Sequence, residues 1–261
     1  MNRYLKNIRD GKAINFEAFL KKLPDDIAGR HWKYFSVEKV GAQKWRVSCL
    51  EDGLLERLEM VAVKPESRSQ AASQGDSHRH APDHAFLLVY HSLQKGQRPE
   101  VVMLSREGAV CNFKSKKFGL LVENEQNFFD NTRMLEFLGE CEGDIFSLDN
   151  CDVILGSGNR VTRPLVLDWL GQYDSLFCAF DYDLGGLKMF GSIKRYLGDK
   201  AHFAQPIHWH QWHNAFRKTP GSSERFAQAI AAAESFGFDG LAVAFRKTGH
   251  FMEQEMILDE H

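Results

Sequence analysis

Acidic residues placed immediately after apolar runs are the first sign of chemistry in this chain. Phe118-Gly119-Leu120-Leu121-Val122 ends at Glu123-Asn124-Glu125. A second run, Ser175-Leu176-Phe177-Cys178-Ala179-Phe180, ends at Asp181-Tyr182-Asp183 and is followed by Leu184-Gly185-Gly186. Short apolar runs bounded by turn residues read as strands buried on both faces, as in a parallel sheet. Ligands of open α/β sheets bind beyond the carboxyl ends of such strands, so Glu123, Asp181 and Asp183 are expected in one crevice. Carboxylates brought together repel, and a cation is the usual way to offset that repulsion. Oxygen-only donors favour hard ions such as Mg²⁺ or Mn²⁺.

The elements that must hold these residues follow from the pattern around them. Gln126 to Leu138 carries apolar residues at helical spacing, and Asp152-Val153-Ile154-Leu155 reads as a strand entering Gly156-Ser157-Gly158-Asn159-Arg160. A helix over Val161–Leu170 and another over Leu187–Leu197 complete a strand–helix alternation, which implies a parallel sheet. The Gly156/Gly158 loop could offer backbone N–H groups to a phosphate, with Arg160 and Arg163 assisting. Lys188, on the helix after Asp183, is a candidate cation for charge that develops at phosphorus.

The order of these elements resembles a TOPRIM domain, the catalytic module of topoisomerases, bacterial primases and several nucleases. That family carries a Glu after its first strand and an Asp-x-Asp pair after a later one, which match Glu123, Asp181 and Asp183 over roughly residues 117–200. Phe251-Met252-Glu253-Gln254-Glu255 resembles the terminal Glu-Gln-Glu of one branch, the JetD and MksG nuclease subunits of Wadjet-type, condensin-associated plasmid defence. Phe180 stands where that branch usually has Gly, and Leu184 where Pro is common.

The resemblance implies a C-terminal TOPRIM-like α/β domain with a parallel sheet and flanking helices over 117–261. It implies hydrolysis of DNA phosphodiesters with two Mg²⁺ or Mn²⁺ ions, held by Glu123, Asp181 and Asp183, with Glu253 or Glu255 completing the second site. On a helix Glu253 and Glu255 point about 200° apart, so one of them is expected to face the crevice. Plasmid DNA and a condensin-like SMC–kleisin complex are the implied partners, and a homodimer stays open. The rival readings are a non-catalytic TOPRIM-like adaptor and a topoisomerase-like strand transferase. The latter needs a tyrosine nucleophile, for which Tyr4, Tyr34 and Tyr90 are the N-terminal candidates.

Upstream, residues 1–63 read as a small α+β module: a helix from Asn15 to Leu23 stopped by Pro24, strands at Lys33–Lys39 and Lys44–Leu50, then a helix over Glu51–Met60. This order is compatible with a winged-helix-like element whose hairpin presents Lys39, Lys44 and Arg46. Residues 64–84, rich in Ser, Gln and Ala and containing His78, His80 and His84, read as a flexible linker. Ala85–His91 and Glu100–Leu104 are lead-in strands within 85–116. His208-Trp209-His210-Gln211-Trp212-His213 reads as a partly buried aromatic segment with its histidines on the polar side.

Composition sets the remaining bounds. Lys plus Arg (33) nearly balances Asp plus Glu (35) in 261 residues, which is not the balance of a protein that grips DNA by bulk charge. The five cysteines have no metal-finger spacing and suit reduced thiols. No run approaches the length of a membrane span and the start lacks a signal-peptide core, so the expected location is cytoplasmic and nucleoid-associated, with no membrane partner.

Overall fold

The structure, a computed structural model, describes residues 1–62, 69, 82–92 and 98–259. Contacts divide the chain into two units, Met1–Pro82 and Asp83–His261. The linker expected at 64–84 falls almost wholly outside the described residues, His78 and His80 with it.

The first unit contains α1 (Asn2–Arg9), α2 (Phe16–Leu20), α3 (Asp25–Ala28), β1 (Phe35–Gly41), β2 (Lys44–Cys49) and α4 (Leu54–Ala62). Asn15 caps α2 by accepting from the Ala18 N–H at 3.0 Å, which satisfies one of the free donors at the helix start. β1 and β2 pair antiparallel around Gln43, whose φ of 54° gives the tight reversal. Leu5, Phe16, Phe19, Phe35, Leu54 and Leu58 form the core, in which Phe19 meets Phe35 edge-on. Lys39, Lys44 and Arg46 are exposed on the hairpin. Arg46 pairs with Glu38, and Lys39 lies over the Trp45 ring.

The second unit is a mixed seven-stranded sheet flanked by helices. Its strands are β3 (His84–Tyr90), β4 (Glu100–Ser105), β5 (Gly108–Val110), β6 (Phe118–Val122), β7 (Cys151–Leu155), β8 (Ser175–Ala179) and β9 (Ala201–Phe203). They lie in the order β5-β4-β3-β7-β6-β8-β9. β7, β6, β8 and β9 are mutually parallel, whereas β3, β4 and β5 run antiparallel and extend the same sheet beyond β7. The lead-in strands of the sequence reading are therefore part of the same sheet as β6, β7 and β8. The helices are α5 (Glu125–Phe129), α6 (Asn131–Glu142), α7 (Pro164–Leu170), α8 (Leu184–Leu197), α9 (Trp209–Trp212), α10 (Ser223–Ser235) and α11 (Asp239–Thr248).

The central strands are apolar because both faces are covered. Leu120, Leu121 and Val122 have no exposed surface, and burying each such side chain stabilises by about 1.5–3 kcal/mol. The single helix expected over 126–138 is two, broken at Asp130, and the one expected from Val161 opens as a 3₁₀ turn over Gly158–Thr162 before α7. Pro164 explains that start, because proline is pre-organised for the first helical position.

Connectivity fixes where the sheet can bind. β6 lies between β7 and β8; the chain passes first to β7 and then crosses to β8 on the other side of β6. The winding direction reverses at this point, and the crevice beyond the carboxyl ends of β6 and β8 is the topological switch point of the sheet. Register aligns these ends, since Val122 pairs with both Leu155 and Ala179. Glu123 and Phe180 are the next residues, so the acidic residues stand at the rim.

Candidate metal and phosphate site

Glu123 leaves β6 with its backbone N–H bonded to Gln254 Oε1 at 3.1 Å. Its own Oε2 accepts the Asp181 N–H at 3.2 Å, tying the end of β6 to the end of β8. In the Asp181-Tyr182-Asp183 segment Tyr182 is buried, donating its hydroxyl to the Ala204 carbonyl at 2.9 Å, while both aspartates keep partial exposure. This alternation follows from extended backbone, which sends neighbouring side chains to opposite sides. Asp183 is also the N-cap of α8, accepting the Gly186 N–H at 2.9 Å. Gly186 is required there: a Cβ would stand 2.2 Å from the Asp181 carbonyl oxygen.

A distant segment closes the site. Residues 251–252 run extended between two partners, with Lys218 and Phe251 exchanging backbone bonds on one side and Tyr182 and Met252 on the other. Glu253 and Gln254 follow. The Gln254 N–H donates to Asp181 Oδ1 at 2.8 Å, and Asn127 Nδ2 holds the Gln254 carbonyl at 3.0 Å. The helical reading of this segment is corrected here: α11 ends at Thr248, Glu253 is extended and Glu255 lies in a 3₁₀ turn (Gln254–Ile257). Glu253 joins the acidic group and Glu255 is exposed.

Lys218 stands at the centre of the carboxylates. Its Nζ is 3.3 Å from Asp181 Oδ2, 3.5 Å from Asp183 Oδ2 and 3.1 Å from Glu253 Oε1. Burial pulls the lysine pKa down, but the Glu253 hydrogen bond and the two aspartates outweigh it and raise the group above its usual range. Burial, then the charge of Asp181, pushes the Glu123 carboxyl up to about 7. Asp181 is raised chiefly by burial, despite the opposing Gln254 N–H and Lys218.

Among the described residues no three His, Cys, Asp or Glu side chains form a ready-made metal-ligand group; the carboxylates are spread around an ammonium instead. The donor chemistry nevertheless fits a hard divalent cation. Every converging atom is a carboxylate oxygen, and the point they surround already holds a positive charge. Glu123, Asp181, Asp183 and Glu253 are the residues that would hold it.

The other expected residues separate from this group. Lys188 is exposed on α8, and the ammonium that reaches the carboxylates belongs to Lys218. The Gly156 N–H donates to the Val122 carbonyl at 2.8 Å, so it serves the sheet and is not offered to a phosphate. Gly158 has φ of 61°, after Ser157 at 50°. Arg160 lies 4.7 Å from the centroid of Phe86, and Arg160 and Arg163 line a cavity of about 150 Å³ with Glu125, Gly156, Ser157 and Phe86. His208 and His210 are exposed beside the buried Trp212, as the sequence reading expects.

Sequence reasoning missed Lys218 and Gln254. Lys218 follows Arg217 and precedes Thr219-Pro220-Gly221, a basic pair at a turn with no feature that marks it. Gln254 was visible between Glu253 and Glu255, and only its burial among chain-distant partners reveals its part.

The fold and site define an α/β protein with an acidic centre, built around the Lys218 ammonium, at a sheet switch point. Comparison with protein-family models and with curated proteins finds no match.

Proposed function

We propose that the protein is a metal-dependent DNA endonuclease that hydrolyses phosphodiesters at the Glu123–Asp181–Asp183 centre. The observation that carries this reading is the convergence of Asp181, Asp183 and Glu253 on one cationic point beside Glu123, at the switch point of the sheet. A divalent Mg²⁺ or Mn²⁺ pair, when bound, supplies charge neutralisation at the phosphate and an activated attacking water.

The chain's own residues have distinct tasks. Asp181 and Asp183 are anchored by the Gln254 and Gly186 N–H groups, so they meet a ligand with little rearrangement. Glu123, tied to the Asp181 backbone at the end of β6, stands beside the aspartates and is a candidate to orient or take a proton from an attacking water. Lys218 can stabilise charge on a phosphate oxygen once it leaves its carboxylates. Arg160 and Arg163 are candidates for contact with a flanking phosphate, while Glu255 and Lys188 are exposed.

The resemblance to the JetD and MksG nuclease subunits extends the proposal to a condensin-like anti-plasmid complex. A formal charge of −2 gives the isolated chain little bulk attraction for DNA, which fits a centre to which a partner delivers the substrate. A non-catalytic TOPRIM-like adaptor is the second reading, favoured by the three ion pairs that already occupy Lys218. Supercoiled plasmid incubated with Mn²⁺ separates the two. The wild-type protein is expected to nick and linearise slowly, faster with a condensin-like complex, and Asp181→Ala not at all. Equal product from both proteins, or none from either with the complex present, rejects the nuclease.

A further inference from the structure

Lys218 offers three N–H donors, and all three have a carboxylate within reach, from Asp181, Asp183 and Glu253. These are the same oxygens that a divalent ion in this centre needs. Ammonium and metal therefore cannot both be held there. One ammonium facing three carboxylates leaves the centre negative, which favours a doubly charged replacement.

The lysine is built to leave without disturbing the fold. Its backbone is fixed by two hydrogen bonds with Phe251, and Ala215 and Phe216 just before it are buried. Its side chain is 36% exposed, so the flexible stem has open solvent on one side. A lysine ammonium is also a good point-charge partner for a phosphate, and a phosphodiester brought to this rim competes for it directly.

We propose that Lys218 is a displaceable internal cation: it occupies the carboxylates until a DNA phosphodiester draws it away, so that DNA and divalent metal load together. The idea rests on the nuclease reading of the site and adds an order to it. Because linkage is reciprocal, metal must tighten DNA binding by the same factor by which DNA tightens metal binding. Loading without substrate stays disfavoured, which restrains cutting by a centre that lacks its partner.

The test is calorimetric titration of Mn²⁺ into the full-length protein, alone and with a phosphorothioate-substituted DNA duplex that resists cleavage. In the wild-type protein the duplex should tighten Mn²⁺ binding by about tenfold, within the usual range of such couplings. Lys218→Met should bind Mn²⁺ about tenfold tighter than wild type without DNA, with little further gain from the duplex. Lys218→Arg, which keeps the charge, should stay as weak as wild type. Lys218→Gln is a second neutral variant should the methionine prevent folding, and the duplex arm on the wild-type protein needs no variant. Equal Mn²⁺ affinity in wild type and both neutral variants, or a duplex without effect on wild type, overturns the proposal and leaves the nuclease reading to plasmid cleavage. Absence of Mn²⁺ binding in every protein, with and without duplex, overturns both.

Discussion

Asp181 accepts a 2.8 Å hydrogen bond from the backbone N–H of Gln254, a residue 73 positions further along the chain. The side chain of the same glutamine accepts the Glu123 N–H at 3.1 Å. Gln254 thus bridges the ends of β6 and β8, and it is almost completely buried. The acidic centre is set by this bridge as much as by the strands.

Gln254→Ala should therefore destabilise the protein more than its neighbours do. Removing Oε1 leaves the Glu123 N–H without its partner, at a cost of ~1–3 kcal/mol. Glu255→Ala, at an exposed position, should stay within about 0.5 kcal/mol of wild type. Urea denaturation of the two variants measures the contrast, and equal midpoints would remove the bridge from the account.

Gly186→Ala should disrupt the acidic loop, since its Cβ would approach the Asp181 carbonyl oxygen to 2.2 Å with no flexible side chain to yield. The expected result is a loss of more than ~2 kcal/mol in stability, well beyond the usual surface substitution, together with loss of Mn²⁺ binding. Gly221→Ala is the control, because nothing lies within 4 Å of a Cβ there. Thermal melts of both, with and without Mn²⁺, give the answer.

Stability should fall as pH rises from about 4.5 to about 7 through Glu123. Its native pKa, raised by burial and then by Asp181, is about 7, against 4.5 for an ordinary glutamate. Across that window the native state holds a proton that the unfolded chain has released, so the slope of stability against pH is negative. Asp181, raised from 3.8, acts in the same direction. Lys218, raised above 10.5, keeps its stabilising contribution throughout the window and loses it only at higher pH. Glu123→Gln should flatten the fall of melting temperature with pH in metal-free buffer; an unchanged slope would place the proton elsewhere.

Mn²⁺ should raise the melting temperature, because an ion that binds only the folded state stabilises it by mass action. Asp183→Asn isolates the charge, since asparagine caps a helix about as well as aspartate and α8 should keep its start. The variant should retain its metal-free stability and lose most of the Mn²⁺ increment. An undiminished increment in scanning fluorimetry would show that the ion binds away from Asp183.

Local pattern alone determined a good part of this protein. Runs of buried apolar residues marked β6 and β8, and with them Glu123, Asp181 and Asp183 at strand ends. Asn15 announced the start of α2 as a side-chain cap. These features are legible because burial on both faces, helical periodicity and capping depend on residues adjacent in sequence. The short strand β9, three residues long, leaves no such pattern and was missed.

Only the tertiary structure decided which ends meet. Strand order, with β6 between β7 and β8, turned three separated carboxylates into one switch-point crevice. It enlisted Lys218 and Gln254, which sit in unremarkable local contexts and acquire their parts through backbone pairing with Phe251 and hydrogen bonds to Asp181 and Glu123. It also assigned the Gly156 N–H to the sheet, where a loop motif had suggested a phosphate. Contacts between residues far apart in the chain depend on how elements pack and pair, and no window of neighbouring residues carries that information.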